Sequence, residues 1–474
     1  MTLATGILSY GTYLPSYRLQ RSAIKHALGA GGGNGTRSIA GSDEDATTLG
    51  VAAARRALYG ISDTTVVRSV WLATTSAPYA DKTNAVAIHA ALGLGGDIPA
   101  YDLSGSVRCA AGALAAATDG ALVVLSDLRG GLPGSGDERE GGDGAAAIVL
   151  GSGPVLAELV GRGASTAEFL DRWRVPGELG SRTWEERFGE QVYVSLGSAA
   201  AQSAADDAKV ALTAVDHIAI TGVHPRAART LARSLDVKPD VLIDDLASTV
   251  GNCGTAHLGL VLALALDRAS PGDTIALLVL ADGADAFVFR CTERLIEWRE
   301  GARPQGGDQG IANDVSYTTY LRWRGHLHTE PPRRPPPDLP VAPASYRGHE
   351  WKFAFCGSRC GQCGTMHLPP QRVCAACGAL DVMTPEPAHD AKGTIVTVTA
   401  DHLAYSPDPP MVVAVVNLDN GGRVQCEMTD LGLRTPTNGD RVEMTFRRAY
   451  TVDGVHNYVW KARLAAPHLG ATHG

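Results

Sequence analysis

Runs of β-branched and other apolar residues alternate with alanine-rich stretches between Val66 and Glu293. Strands that are covered by helices on both faces carry near-continuous apolar runs, whereas a half-exposed strand alternates apolar and polar residues. The pattern therefore predicts an α/β protein in which helices and sheets form layers. The predicted strands are residues 67–74, 121–127, 145–150, 217–223, 274–280 and 286–290.

A weak internal repeat lies within this part of the chain. The first copy is S-V-R-C-A-A-G-A-L-A-A-A at 106–117, and the second is T-V-G-N-C-G-T-A-H-L-G-L-V-L-A-L-A-L at 249–266. Each copy is a sharp turn that leads into a helix of small residues, and two strands follow each helix. Small side chains allow close packing, so both helices are predicted to lie buried between layers.

A polar stretch, Ser42–Asp45, precedes the helical segment 46–58. Acidic residues at a helix N-terminus cap free amides and oppose the helix dipole. Capping is therefore the preferred interpretation of these carboxylates, and a metal site is the alternative. The glycine cluster at 30–36 is predicted to be a surface loop, because no Lys-Ser/Thr pair follows it.

The composition changes after residue 300. A proline-rich tract at 326–344 predicts an extended linker, and the D-N-G-G sequence at 419–422 predicts a hairpin turn. Short strands with turn signals dominate the last part of the chain, which predicts a small barrel of the OB-fold type. We divide the chain into an α/β domain at 1–300, a linker at 301–345, a zinc ribbon at 346–382 and an OB-fold domain at 383–474.

Two C-x-x-C pairs lie in the predicted ribbon, and a glycine follows each pair. They are Cys360 with Cys363, and Cys374 with Cys377. Four thiolates at this spacing can form a tetrahedral shell around Zn²⁺, because each pair sits on a tight turn. Disulfides or a redox dithiol are the alternatives. Two such pairs occur together and nothing else suggests an oxidising compartment, so we predict structural zinc.

The formal net charge is −8, with 45% hydrophobic and 19% charged residues. An acidic chain lacks the basic face that nucleic acids require, so no nucleic-acid partner is expected. The sequence has no apolar run long enough to cross a membrane and no secretory signal pattern at its start. We therefore expect a cytoplasmic protein without a membrane partner.

Three residues in the α/β domain have the chemistry of a nucleophilic site. Cys109 lies at the predicted start of a helix, where free amides and the neighbouring Arg108 should lower the pKa of the thiol. His224 ends a predicted strand, at the edge of the sheet where α/β proteins bind ligands. Asn252 lies in the turn before the second small-residue helix. The alternatives are a core cysteine, a capping histidine and a turn asparagine.

The first 300 residues resemble the thiolase superfamily, specifically its HMG-CoA synthase-like branch. The stretches that carry the resemblance are S-Y-G-T-Y-L-P-S-Y-R-L, S-D-E-D-A-T-T-L, T-S-A-P-Y-A-D-K, Y-D-L-S-G-S-V-R-C, G-V-H-P and V-G-N-C-G-T-A-H. The last 130 residues resemble the zinc-ribbon/OB-fold proteins that accompany acyl-CoA thiolases and archaeal HMG-CoA synthases. The resemblance implies a duplicated α-β-α-β-α fold followed by a fused zinc and OB module.

The resemblance also implies roles for the three residues. His224 and Asn252 match the family residues that hydrogen-bond a thioester carbonyl and stabilise an enolate or oxyanion. Cys109 is the candidate nucleophile, although alignment without gaps from Asp102 puts Val107 at that position. Thr75 occupies the position of the family's acid/base glutamate, and a threonine cannot accept a proton at neutral pH.

The resulting hypothesis is an acyltransferase that uses acyl-CoA to form a C–C bond by Claisen or aldol chemistry. Without the glutamate, the set resembles the ketoacyl synthase III type, in which a decarboxylating donor supplies the carbanion. The alternative is a non-catalytic scaffold or regulatory subunit that pairs with an active thiolase chain. Arg226, with Arg229 near it, is the candidate for binding a CoA phosphate. The family analogy implies a homodimer through the thiolase-like domain.

Overall fold

The computed structural model describes residues 6–59, 61, 66–302, 313–330, 335 and 337–465. The helices are α1 Arg21–Leu28, α2 Ala46–Leu58, α3 Ala85–Ala91, α4 Cys109–Ala116, α5 Gly136–Glu140, α6 Glu186–Ala208, α7 Pro225–Ser234, α8 Thr255–Arg268, α9 Arg294–Glu297, α10 Tyr317–Trp323, α11 Ala342–Arg347 and α12 His349–Lys352. None of the helices in these ranges is long and apolar enough to span a bilayer.

The strands form one large sheet, a barrel and several small sheets. They are β1 Gly6–Tyr13, β2 Tyr17–Gln20, β3 Thr36–Ile39, β4 Ser69–Thr74, β5 Ala100–Ser104, β6 Ala121–Leu128, β7 Asp143–Gly151, β8 Ala157–Ser165, β9 Arg172–Trp173, β10 Arg182–Thr183, β11 His217–Gly222, β12 Thr274–Leu280, β13 Ala284–Cys291, β14 Asn313–Asp314, β15 Cys356–Cys360, β16 Met366–His367, β17 Met383–Pro387, β18 Gly393–Asp401, β19 Met411–Leu418, β20 Arg423–Glu427, β21 Arg441–Val452 and β22 Val455–Leu464.

The large sheet contains the predicted repeat. Its strand order is β11-β12-β13-β8-β1-β7-β6-β4-β5, and β1 and β8 join its two halves through a short antiparallel pairing at Gly6 and Ile7. In the first half α4 leads into the antiparallel pair β6 and β7, and in the second half α8 leads into the antiparallel pair β12 and β13. The predicted duplication is therefore present in the topology.

Alternate residues of each central strand enter two different hydrophobic cores. On β6, Leu122 and Val124 pack with α2, whereas Val123 and Leu125 pack with α4 and α8. The second half repeats this arrangement, because one face of β12 packs against α6 and α7 and the other against α8. The result is a layered α-β-α-β-α fold with the two small-residue helices in the middle, as predicted.

The part of the predicted linker that precedes the proline-rich tract contains regular structure. Strand β14 pairs with β2, and Tyr317 and Tyr320 of α10 are buried in a core with Tyr17 and Ile24. This part of the chain packs against the first domain, because its aromatic side chains cover apolar surface there. Residues 303–312, 331–334 and 336 of the predicted linker lie outside the described residues.

A four-cysteine region, residues 356–387, and a β-barrel follow. In the four-cysteine region β15 pairs with β16 and β17, and the barrel strands run in the order β20-β19-β18-β21-β22. A bridge between Met428 and Ala462 brings the end of β20 to β22 and closes the barrel. The barrel core and α2 belong to one continuous hydrophobic cluster, so the barrel packs directly against the α/β domain.

Buried ions join the barrel to the α/β domain. Arg447 of β21 has no exposed surface, and its Nη2 lies 3.0 Å from Glu44 and 2.8 Å from Asp430. Lys461 pairs with Asp43 at 3.1 Å. Asp45 caps α2 by accepting from Thr48 N, as predicted. The other two acidic residues of the 42–45 stretch pair with basic side chains of the barrel, which the capping interpretation did not include.

Candidate functional site

Cys109 is the first residue of α4, directly after the turn that leaves β5. The turn contains Gly105 at φ 114°, a conformation that favours glycine, and the Cys109 amide donates to Ser106 O. Val107, the other candidate for the nucleophile position, precedes the helix and is 6% exposed within the core.

Asp127 is a fully buried carboxylate at the end of β6, close to the start of α4. It accepts from the amides of Thr75 at 2.6 Å and Thr255 at 2.8 Å. It also accepts from three hydroxyl groups, those of Thr74, Thr75 and Ser76, at 2.9–3.1 Å. One carboxylate therefore links the end of β4 to the N-terminus of α8.

The environment of Cys109 raises the pKa of its thiol to about 12. Burial is the largest cause, the negative charge of Asp127 adds to it, and backbone hydrogen bonds lower the pKa by less. Arg108 faces away and pairs with Asp285 at 2.9 Å. The prediction that the helix terminus and Arg108 lower this pKa is therefore wrong, because burial and a nearby carboxylate dominate.

His224 follows β11 and caps α7, with 8% of its surface exposed. Its Nδ1 accepts from Ala227 N at 3.0 Å, and its Nε2 lies 3.0 Å from Glu186 O, so the proton lies on Nε2 in this arrangement. Asp171 is also close to His224. Both side chains pack against Gly189, since a Cβ at that position would contact the Asp171 carboxylate and the His224 ring. Both ring nitrogens of His224 are engaged by the backbone.

Asn252 lies in the turn before α8. Its amide group donates to Gly222 O at 2.6 Å, and its carbonyl oxygen accepts from Gly254 N at 2.9 Å. These contacts place Asn252 beside the end of β11, which leads into His224. Within the described residues, no hydrogen bond connects the Cys109 thiol to either of the other two side chains. Cys109 lies near Thr74 and Asp127, at the ends of β4 and β6, whereas Asn252 and His224 lie at the end of β11.

Thr75 lies between two guanidinium groups. Arg129 donates to the Thr75 hydroxyl at 3.0 Å, and Arg174 donates to the Thr75 carbonyl at 2.9 Å. Burial lowers the pKa of Arg129, and the charges of Arg172 and Arg174 lower it further, whereas Asp127 and Asp137 raise it. Thr75 therefore lies between guanidinium groups and the Asp127 carboxylate, which accepts from its hydroxyl at 3.0 Å.

Arg226 is oriented towards α6. Its Nε lies 2.6 Å from Glu190, and its Nη1 lies 3.6 Å from Glu186. Two glutamates offset the charge that was predicted to bind a CoA phosphate. The prediction for Arg226 stays untested, and these contacts weaken its basis.

Sequence reasoning missed Asp127 and Arg129. A carboxylate at the end of an otherwise apolar strand, in A-L-V-V-L-S-D, is a signal that could have marked Asp127, because a buried charge needs partners. Arg129 follows it in the same loop. The basic residues of the segment 172–174 approach the site from a distant part of the chain, and no local pattern indicates this.

The four predicted cysteine ligands converge in the four-cysteine region. The sulfur atoms of Cys360, Cys363, Cys374 and Cys377 all lie within 4.8 Å of one another. Each pair sits on a turn that a backbone hydrogen bond closes, from Gly364 N to Cys360 O and from Gly378 N to Cys374 O. A tetrahedral metal with sulfur bonds of about 2.3 Å needs sulfurs at this separation. The donor set therefore fits zinc and leaves no open coordination position.

The duplicated layers, with the Cys, His and Asn side chains at strand ends, define a thiolase-like α/β protein. Hydroxymethylglutaryl-CoA synthase of Methanopyrus kandleri is 30% identical over 322 residues, which are 63% of this chain and 90% of that protein. The synthase of Pyrobaculum neutrophilum is 30% identical over 345 residues, 67% of this chain and 97% of that protein. The chain belongs to the hydroxymethylglutaryl-CoA synthase family.

Solved structures share the fold. An HMG-CoA synthase complexed with CoA matches with a TM-score of 0.57 at 21% identity, over 68% of this chain and 90% of that chain. The 3-oxoacyl-(acyl carrier protein) synthase III of Pseudomonas aeruginosa PAO1 matches with a TM-score of 0.54 at 23% identity, over 61% and 99%. Residues 386–447 match the family model described as "ChsH2, C-terminal OB-fold domain". The barrel is thus an OB-fold.

Proposed function

We propose that the protein is an acyl-CoA-dependent condensing enzyme with Cys109 as its nucleophile. The observation that carries the proposal is the position of Cys109 at the first turn of α4, in a chain of the HMG-CoA synthase family. The Cys109 sulfur attacks the thioester carbonyl, CoA leaves with the thiol proton, and an acyl-enzyme results. A carbanion from a second thioester then attacks the acyl carbon and releases Cys109.

His224 and Asn252 stabilise the negative charge on the carbonyl oxygen of the second thioester. His224 carries a proton on Nε2 and Asn252 has an amide group, so both are hydrogen-bond donors. Their present acceptors are the carbonyls of Glu186 and Gly222. Substrate binding would therefore exchange these backbone acceptors for the thioester oxygen.

The threonine at position 75 supports a donor that needs no general base. The family resemblance implies that Thr75 takes the position of the acid/base glutamate, and Arg129 and Arg174 contact Thr75. A β-carboxylated thioester loses CO₂ and leaves its electron pair on the α-carbon, so no proton has to be removed. Removal of an α-proton without a positioned base would lose roughly 10²–10⁴-fold in rate. We therefore favour a decarboxylating condensation over HMG-CoA synthesis.

A non-catalytic subunit that pairs with an active thiolase is the second candidate. The raised pKa of Cys109, about 12, favours it, because the thiol is protonated at neutral pH. In this case the fold binds acyl-CoA or a partner chain without a covalent step. The homodimer expected by family analogy is compatible with both functions.

Intact-mass analysis separates the two functions. The full-length protein is incubated with acetyl-CoA and with longer acyl-CoAs. The enzyme predicts an acyl adduct that Cys109→Ala abolishes. Cys426→Ala is the matched control, because burial also raises the pKa of the Cys426 thiol to about 12. The Cys426→Ala variant should still form the acyl adduct. No adduct with any acyl-CoA, together with stable binding to a co-expressed thiolase, would establish the subunit instead.

We also propose that Cys360, Cys363, Cys374 and Cys377 hold a structural zinc ion. The convergence of their sulfurs within 4.8 Å supports this proposal. Metal analysis should find about one zinc per chain. Cys374→Ser should lose the metal, whereas Cys356→Ser should retain it, because Cys356 lies at the other end of the strand that ends at Cys360 and is outside the set. Retention of zinc by Cys374→Ser would exclude the assignment.

A further inference from the structure

A cavity of about 250 Å³ lies between the α/β domain and the barrel. Three segments form most of it: residues 79–84 after β4, the helices α11 and α12, and the hairpin of β21 and β22. Thr47 of α2 and Ala87 of α3 complete the lining. Residues 79–84 belong to the segment that follows β4, and this segment starts with Thr75 and Ser76. The hydroxyls of these two residues donate to Asp127 at the candidate site. The cavity is separate from Cys109, which is not among its lining residues.

The charged groups that line the cavity are all basic. They are Lys82 and Lys352, and the lining contains no aspartate or glutamate in the part of the chain that the structure describes. His456 also lines the cavity, and burial lowers its pKa, which favours the neutral imidazole. Within the described residues, the ammonium of Lys82 donates to Thr83 O and that of Lys352 to Ser345 Oγ, both neutral acceptors.

The ammonium group of each lysine lies near an aromatic ring. The Lys82 ammonium lies 5.8 Å from the centre of the Tyr79 ring, and the Lys352 ammonium lies 5.7 Å from that of Phe353. Each contact is a cation–π interaction, which orients an ammonium without neutralising its charge. The two pairs come from different walls, one from the α/β domain and one from α12.

The remaining walls are largely apolar. They are formed by Ala87, Pro340, Ala342, Val455 and the ring of Tyr458. Burial lowers the pKa of Lys352, because its ammonium is partly removed from water. An anion bound beside it would offset this desolvation. Apolar walls around two uncompensated ammonium groups suit a ligand that has an anionic head and an apolar body.

We propose that this cavity binds a small organic anion, in which a carboxylate or phosphate head is attached to a compact apolar group. The volume lies just below the ~300–1,000 Å³ that is common for ligand sites, so a compact molecule fits best. The anionic head lies between Lys82 and Lys352, and the apolar group packs on Tyr79 and Phe353. Such a ligand contacts both domains at once.

Titration calorimetry with the full-length zinc-loaded protein tests the proposal. The probes are phenyl phosphate and benzoate, and benzyl alcohol is the neutral control. At least one anion should bind with a Kd of about 1 mM or below, whereas benzyl alcohol should bind at least about tenfold more weakly. If CoA displaces the anion, the ligand is a phosphate of CoA; if it does not, the ligand is a separate small anion.

Lys82→Met and Lys352→Met keep the aliphatic stems and remove the charges. Each should weaken binding of the anion at least about tenfold, because a charge-assisted hydrogen bond is lost. Lys238→Met, an exposed lysine outside the cavity, should leave binding unchanged. Unchanged melting temperatures would show that the variants fold. Absence of anion binding to the wild type, or equal binding by all three variants, would overturn the proposal.

Discussion

Two buried charges, Arg447 and Asp127, are surrounded in opposite ways. Neither has exposed surface. Arg447 lies between carboxylates, at 3.0 Å from Glu44 and 2.8 Å from Asp430. Asp127 accepts from backbone amides and hydroxyls, including Thr75 N at 2.6 Å and Thr255 N at 2.8 Å, with no cation in ion-pair contact among the described residues.

The difference separates a structural charge from one that acts on a reactive group. Around Arg447 opposite charges cancel, so the network stabilises the domain contact and has little effect beyond it. Around Asp127 the direct hydrogen-bond donors are neutral, and the Arg129 guanidinium attracts the carboxylate only from a longer distance. The charge of Asp127 is therefore not cancelled, and it raises the pKa of the Cys109 thiol. A buried charge thus stabilises the contact between domains at Arg447 and changes the reactivity of a thiol at Asp127.

The largest expected effect is on the domain contact. Arg447→Met leaves Glu44 buried without its ion-pair partner and leaves Asp430 with only the longer contact to Arg463, at 3.7 Å. It should therefore lower the free energy of unfolding by about 3–5 kcal/mol. Arg441→Met is the control. Arg441 pairs with Asp419 on the exposed surface of the same barrel, and its loss should lower stability by at most about 1 kcal/mol. Urea unfolding measures both, and equal losses would contradict the structural role of Arg447.

The second prediction concerns pH. Burial raises the pKa of Glu44 from 4.5 to about 7. A group whose folded-state pKa is raised contributes stability that is fully present below its unfolded pKa and is lost as the pH rises through the folded pKa. Glu44 should therefore destabilise the protein by up to about 3 kcal/mol between pH 4.5 and 7. The free energy of unfolding should decrease less between pH 5 and pH 8 for Glu44→Gln than for the wild type. Parallel slopes in the two proteins would exclude Glu44 as the titrating group.

The sequence predicted much of the fold, because its strands are buried on both faces and its helices are repeated. β8 was missed for a physical reason. Its sequence contains Gly161 and Gly163, which break the apolar pattern, yet a Cβ at either position would lie within 2.3 Å of a backbone oxygen of α6. The glycines are there because a helix packs directly on the strand.

The candidate site was less predictable than the four-cysteine region. In the four-cysteine region local turns bring the ligands together, so their spacing in the sequence is sufficient. The surroundings of Cys109 come from distant segments, and the charge of Asp127 adds to the burial that reverses the pKa shift expected from the helix terminus alone. The basic partner of Glu44, Arg447, likewise lies in the last part of the chain, beyond the reach of any local pattern.

A smaller effect should follow from Asp127→Asn, which removes the charge that acts on Cys109. Loss of a nearby negative charge should lower the pKa of the thiol and increase its alkylation rate at pH 8 several-fold. Peptide mapping after iodoacetamide treatment measures this rate. Cys426, in the barrel, is the internal control in the same digest, and its rate should not change. An unchanged rate at Cys109 would mean that burial alone sets its pKa.

The smallest loss of stability is expected from removing a neutral hydrogen-bond donor to a carboxylate at the contact between the barrel and the α/β domain. Tyr458 donates to Asp45 Oδ2 at 2.9 Å, and both side chains are buried. Tyr458→Phe should cost about 1 kcal/mol, because one hydrogen bond is lost while the charge and the packing remain. Tyr450→Phe is the control, since its hydroxyl makes an exposed contact of 3.3 Å with Asp338 O. Tyr458→Phe and Arg447→Met could lower the free energy of unfolding by similar amounts. That result would mean that neutral donors contribute as much to this contact as ions do. The proposed difference between the surroundings of Arg447 and Asp127 would then have no energetic basis.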